Sequence, residues 1–275
     1  MIHGPAGRRR GRGGAIHLHP GARTMRVGIS IHIGVNEPSS IPASKLSDSE
    51  ENAWKMAELA SQAGYGAIHV LRGPQATRQA VGTLLADAVH ALQPGDTLFV
   101  TFSGHGSRLL DVDGDEWDGW DETWCLHDAE LIDDELAGYW RQLPAGARAV
   151  VVSDSCFAGG AGRPVPGRAR GVKQAAQHSS SSVPRLPSHT DGIRASVLWL
   201  AAASEDRRGQ EGMYTPRLLE VWKGGAFRGS YCDLHRTLST GVRREMQENP
   251  QEPQLIMLGA PDPSFPLEVA FHLAR

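Results

Sequence analysis

The sequence predicts an α/β domain built on a mostly parallel sheet of about six strands, with helices on both faces. Three observations predict it. Short β-branched runs alternate with stretches of helical period, so successive strands are joined by helical crossovers. Two runs, Thr97–Phe102 (TLFVTF) and Ala149–Val152 (AVVV), are apolar without alternation, as central strands covered on both faces must be. These runs stop at Ser103-Gly104-His105-Gly106 and at Asp154-Ser155-Cys156, the carboxyl edge where open α/β sheets gather functional groups.

In chain order, Arg26 to Val35 is rich in β-branched residues and reads as a buried strand. Glu50 to Ala63 reads as a helix with Trp54, Met56, Leu59 and Ala60 near helical spacing, stopped by Gly64. Ala67 to Leu71 is a second strand. Thr77 caps a helix to about Leu92 that carries Val81, Leu84, Leu85 and Val89 on one side, and Pro94-Gly95 turns the chain into the first central strand. After it come a short helix from Asp133 to Gln142 and the second central strand. Later strands are read at Val197–Ala201 and Leu255–Leu258, with helices near Pro216–Trp222 and Cys232–Met246.

Composition narrows the function classes. With 275 residues, 40% hydrophobic and 21% charged, the chain can bury a full core, which excludes wholesale disorder, collagen and coiled coil. A net charge of −3 predicts no dominant field toward nucleic acid or membrane, and no apolar run approaches the roughly 18 residues of a span. Neither partner is expected. Cys125, Cys156 and Cys232 are odd in number and widely spaced, so they form no disulfide framework, and a reducing compartment, the cytoplasm, is expected.

Charge is unevenly distributed along the chain. Residues 1–24 are Gly-rich and basic (GRRRGRGG) with no acid and no periodicity, and are expected to be a disordered extension of a single domain over 25–275. From Asp111 to Glu135 the chain carries many carboxylates and no Lys or Arg, a self-repulsion that calls for a cation or wide solvation. Asp111, Asp113 and Asp115 with Glu122 imitate an EF-hand loop, but Glu116 stands where that loop requires Gly, so an EF-hand is rejected. Trp117, Trp120 and Trp124 read as anchors packing this segment onto the body, with a substrate platform as the other reading. Residues 161–194 are rich in Gly, Pro and Ser and basic, with Arg163, Arg168, Arg170, Lys173, Arg185 and Arg194 against the single acid Asp191; they are expected to form a flexible loop. Cys232 with His235, and Cys125 with His127, lack the paired partners of a structural zinc.

The chemistry-bearing pair is His105 and Cys156. Each lies at the end of a central strand, so they are expected to face each other. Cysteine attacks a carbonyl as thiolate, which a positioned imidazole supplies. Gly104, Gly106, Gly159 and Gly160 flank the pair and would let a peptide backbone approach; the N–H groups of Gly106 and Cys156 are natural oxyanion donors.

The set Ser103-Gly104-His105-Gly106-Ser107, then Asp113-Gly114-Asp115-Glu116 with Asp118-Gly119 and Asp121-Glu122, then Asp133-Asp134-Glu135-Leu136, then Asp154-Ser155-Cys156 resembles the metacaspases, caspase-like cysteine endopeptidases. Ile33-Gly34-Val35-Asn36 and Gln251-Glu252-Pro253-Gln254 extend the resemblance, which covers nearly everything from Met25 onward. It implies a caspase-like fold, His105 as general base, and Cys156 as nucleophile of acyl transfer through a thioester, with no cofactor required for the chemistry. It also implies an S1 pocket at Asp154, Ser103 and Asn52 that selects Arg, less often Lys, through a carboxylate. Asn52 replaces an Asp of the family pattern and Ser49 a Cys, so the pocket keeps one charge and loses another.

A calcium site is implied at Asp118, Asp133 and Asp134, with calcium as an activator. The Asp expected a few residues past the nucleophile is absent, its stretch being Ala161-Gly162-Arg163. Self-cleavage is expected in 161–194 at the basic residues named above. Protein or peptide substrates with basic P1 residues are the expected partners, with a regulatory protein in a stress, cell-death or antiphage pathway by analogy with prokaryotic relatives. The competing reading is a catalytically weak caspase-like module that binds calcium or a protein through its acidic segment.

Overall fold

Ile29, Ile31 and Ile33 alternate with Ser30 and His32 along strand β1 (Gly28–Gly34), and all are fully buried, so both faces of this strand are covered. The computed structural model describes residues 26–39, 45–110, 120–157, 192–202, 214–245, 253–260 and 262–273. Beyond β1 its elements are α1 (Ser49–Ala63), β2 (Ala67–Arg72), α2 (Arg78–Ala91), β3 (Thr97–Leu110), β4 (Trp120–Cys125), β5 (Glu130–Ile132), α3 (Asp133–Gln142), β6 (Arg148–Phe157), β7 (Ser196–Ala201), α4 (Tyr214–Trp222), α5 (Tyr231–Glu245) and β8 (Gln254–Gly259). The expected extension over 1–24 lies outside the described residues, as does the expected basic loop up to residue 191.

Six strands run in the order β2-β1-β3-β6-β7-β8, parallel except for β8 against β7. Helices α2 and α3 cover one face, where Val81, Leu85, Leu136 and Trp140 pack on Ile31, Val100 and Val151. Helices α1, α4 and α5 cover the other, where Met56, Leu59, Leu218, Leu234 and Leu238 pack on Phe99, Val150 and Leu198. Each large apolar side chain so buried contributes about 1.5–3 kcal/mol, and the alternation along each strand sends it to one layer or the other.

Local signals in the sequence set the helix ends. Thr77 Oγ1 accepts from Ala80 N at 3.1 Å and opens α2. Gly64 adopts a left-handed conformation (φ 94°) that closes α1 at the stop predicted for it.

Four expectations are corrected. Among the described residues the sheet has eight strands: β4 pairs antiparallel with the distal half of β3, and β5 pairs with β4. The adjacent Asp121 and Glu122 interrupt the apolar pattern of β4, and β5 is only three residues long, so hydropathy reveals neither strand. Strand β3 does not stop at Phe102 but runs on through His105 to Leu110, and β6 does not stop at Val152 but reaches Phe157, because backbone pairing continues where the apolar pattern ends. Trp54 is 51% exposed and lies on the solvent side of α1, its indole donating to Glu58.

A polar seam runs under α1. The His32 imidazole is fully buried, with Nδ1 and Thr101 Oγ1 2.9 Å apart and an edge-to-face contact on Phe99. Burial, and then the neighbouring His69, push its pKa down to about 3. In the unfolded chain it regains an ordinary value near 6.5. Between these two values the unfolded state binds the extra proton, so stability is complete above about pH 6.5 and falls, by up to about 1.4 kcal/mol per pH unit, as pH drops toward 3. Urea unfolding at pH 7.5, 6.0 and 5.0 is expected to show this loss in wild type and a smaller one in His32→Asn; parallel losses would remove His32 as the cause.

Candidate active site

The site is built where β3 and β6 run past the body of the sheet. Their parallel register sets Ser103 against Asp154, Gly104 against Ser155, His105 against Cys156 and Gly106 against Phe157. Adjacent strands lie about 4.8 Å apart, so the two expected catalytic residues occupy directly opposed backbone positions. His105 is fully buried. Strand β1 ends at Gly34 against Ser103, and β4 takes over the vacated edge of β3, pairing Trp124 with Gly106.

Two residues inward, the three residues predicted for the S1 pocket come together. Asn52 Nδ2 donates to Ser103 Oγ at 3.2 Å, and Ser103 is the register partner of Asp154; all three are buried. Asn52 reaches the strand because the first turn of α1 lies against Gly34, where any side chain would collide with the Ser49 carbonyl and the Glu50 backbone. Ser49 is buried there as well.

Asp154 has a partner that sequence reasoning missed. Thr215 N, in the first turn of α4, donates to Asp154 Oδ2 at 2.9 Å. Burial raises the Asp154 pKa, and hydrogen bonds from the Thr215 side chain and from the Thr215 and Tyr214 amides pull it partly back. Tyr214, fully buried in the same turn, has its phenol pushed far up by burial and by the Asp154 carboxylate. The helix start at Tyr214-Thr215-Pro216 was legible, Pro being at home in a first turn. That this helix begins against Asp154 was not, because the contact spans 61 residues of sequence.

Behind the site, on the face of α2 and α3, Trp124 lies stacked on Phe102 with ring centroids 4.8 Å apart, and its Nε1 donates to Ser153 Oγ at 3.0 Å. Ser153 Oγ and Ser155 Oγ lie 2.9 Å apart. Trp124 thus anchors the acidic segment on the body, as one of the two readings of the tryptophans expected.

Of the expected metal ligands, Asp133 and Asp134 stand at the N-terminus of α3, where the helix dipole favours carboxylates, and Asp134 N donates to Asp133 Oδ1 at 3.1 Å. Asp118 lies outside the described residues, and among the described residues no three His, Cys, Asp or Glu side chains form a group that could hold an ion. Arg163, Arg168, Arg170, Lys173 and Arg185 also lie outside them, while Arg194 is exposed two residues before β7. Cys125 is buried and free, its thiol pushed up to about 12 by burial and by Glu130; Cys232 is free and half-buried. No described helix is long and apolar enough to cross a membrane.

The architecture defines a class first. The described residues have a caspase-like fold: caspase-1 from Spodoptera frugiperda superposes with a TM-score of 0.57 over 94% of this chain and 97% of that one, at 12% identity. Protein GSU0716 from Geobacter sulfurreducens is more similar, with 30% identity and a TM-score of 0.72 over 90% of this chain and all of that one. Within this class, residues 31–162, just under half of the chain, match the metacaspase, peptidase C14 domain. Metacaspase-1 of Schizosaccharomyces pombe is 43% identical over 90 residues, 31% of this chain and 21% of that protein. Metacaspase-1B of Aspergillus fumigatus is 44% identical over 72 residues, 24% of this chain and 18% of that protein. The chain spans about a fifth of the length of the curated relatives it matches.

The Asp154 geometry separates two contributions. Asp154→Asn retains an acceptor for Thr215 N and removes a buried charge, so its urea-unfolding stability at pH 7 is expected to equal or exceed that of wild type. Asp154→Ala leaves that amide unpaired and is expected to lose about 1–3 kcal/mol. Equal losses in both variants would mean that the charge, not the hydrogen bond, holds the start of α4.

Proposed function

We propose that the protein is a cysteine endopeptidase that cleaves protein chains after Arg, less often after Lys. The observation that carries this reading is the register of His105 against Cys156 in a chain whose residues 31–162 match the metacaspase peptidase domain, with Ser103 against Asp154 two residues inward. His105 takes the proton of the Cys156 thiol, and the thiolate attacks the scissile carbonyl. The N–H groups of Gly106 and Cys156 donate to the oxyanion, His105 returns the proton to the leaving amine, and water releases the acyl group from the thioester. No cofactor enters this chemistry. Asp154 binds the P1 guanidinium at the floor of a pocket shared with Ser103 and Asn52, with the second of its oxygens already engaged by Thr215 N.

Calcium, held by Asp133 and Asp134 together with Asp118, would relieve carboxylate repulsion in the segment that leads into β4. Two carboxylates side by side at a helix N-terminus are suitable hard oxygen donors, and Asp118 would have to join them to complete a site. Self-cleavage at Arg163, Arg168, Arg170, Lys173, Arg185 or Arg194 would separate the large and small parts of the fold. Free Cys125 and Cys232 favour action in the reducing cytoplasm, and a regulatory protein partner in a stress, cell-death or antiphage response completes the proposal.

A fluorogenic panel with Arg, Lys or Asp at P1, run with calcium or chelator, tests the reading. Cys156→Ala and His105→Ala are each expected to abolish turnover, since nucleophile and base act as a unit; turnover surviving in either would refute the dyad. Mapping of new N-termini is expected to find cuts after basic residues in wild type alone.

Specificity has its own expected outcome. Asp154→Asn should lower kcat/KM for P1-Arg substrates about 10²- to 10³-fold and neutral-P1 substrates far less. Because burial raises the Asp154 pKa, the P1-Arg preference of wild type should decline with falling pH before an ordinary Asp would protonate. Kinetics on paired substrates from pH 8 to 5 check this; a preference unchanged by Asp154→Asn would assign the selectivity elsewhere.

A further inference from the structure

We propose that Trp124 is a positioning residue for the dyad, holding the last shared rungs of β3 and β6 from the face opposite the chemistry; the proposal rests on the peptidase reading above. Those rungs lie past the end of β1, so β3 there lacks the neighbour that flanks it deeper in the sheet. Trp124 supplies the missing support in three ways. Its backbone pairs with Gly106, the residue after His105. Its ring stacks on Phe102 with an interplanar angle of 12°, and the Phe102 ring lies so close beneath Gly104 that a Cβ there would sit 2.8 Å from it. Its Nε1 crosses to β6 and donates to Ser153, which touches Ser155, the register partner of Gly104 and the residue before Cys156.

One residue therefore contacts the His strand on both sides of His105, by its ring at Phe102 and its backbone at Gly106, and the Cys strand at Ser153, three residues before Cys156. It is only 4% exposed and is backed by Trp199 of β7 at 5.9 Å, so it has little room to shift. Small errors in the spacing of a base and its nucleophile carry large rate penalties.

The test uses the full chain and two readouts: kcat and KM on a P1-Arg peptide, and the pH dependence of Cys156 alkylation by iodoacetamide, followed by peptide mapping. His105→Ala calibrates the second readout. An unchanged Cys156 titration in His105→Ala overturns the dyad and the positioning role with it. Given a shift there, Trp124→Phe, which keeps a ring on Phe102 but has no N–H for Ser153, is expected to lower kcat about three- to tenfold with KM unchanged. Its Cys156 titration should move toward that of His105→Ala. Ser153→Ala, a milder change should Trp124→Phe fold poorly, is expected to do the same, and the double variant to lose no more than the stronger single. Wild-type kcat and titration in both variants, or fully additive losses in the double, overturn the positioning role alone.

Discussion

The parallel register between β3 and β6, from Thr97 against Arg148 to Gly106 against Phe157, is the constraint on which the rest depends. A slip of one residue would set His105 against Ser155 or Phe157 and send every core side chain of one strand to the wrong layer. The slip is opposed by the core itself: Leu98, Val100 and Phe102 with Ala149 and Val151 pack toward α2 and α3, while Phe99 with Val150 and Val152 packs toward α1, α4 and α5. The burial that stabilises the fold thus fixes which residues meet at its carboxyl edge. The same packing brings His105 and Cys156 to opposed backbone positions.

Alternation then divides the labour between the two faces of the sheet. One face presents Ser103 and Asp154, with Asn52 brought in by α1 and the Thr215 amide by α4. The other carries Phe102, Ser153 and Ser155, with Trp124 brought in by β4. Polar groups on the first face are partnered by helix starts; those on the second are partnered by an indole and by each other. Both arrangements satisfy buried hydrogen-bonding groups, at a place where an unmatched one would cost about 1–3 kcal/mol.

How much of this was legible follows from the range of each interaction. Helix starts and stops such as Thr77 and Gly64 are encoded within a few residues, and sequence alone identifies them. The two central strands were recognised by their apolar runs, but their ends were not, because Ser103 to Leu110 and Ser153 to Phe157 are held by pairing that hydropathy does not record. Strands β4 and β5 were hidden by the same cause. Asn52, Ser103 and Asp154 were legible as a set through the family resemblance, whereas the contacts of Thr215 with Asp154 and of Trp124 with Ser153 join residues far apart in the chain and leave no local signal. Trp54 shows the reverse failure: it has nearly the spacing of a core residue and lies in solvent, where its ring carries the Arg72 guanidinium at 5.6 Å.

Asn52 takes on a physical meaning beside the Asp154 contacts. A buried carboxylate needs compensation whether or not substrate is bound, and in the free protein the start of α4 supplies it to Asp154. A second carboxylate at position 52 would face Asp154 across Ser103, and the two would raise each other's pKa. The Asn52 amide instead donates to Ser103 and adds no charge. In the proposed pocket, a guanidinium then meets one carboxylate already oriented by Thr215 and adds to that hydrogen bond without replacing it. Orientation of a single charge, in place of accumulation of two, is what this arrangement offers a basic side chain.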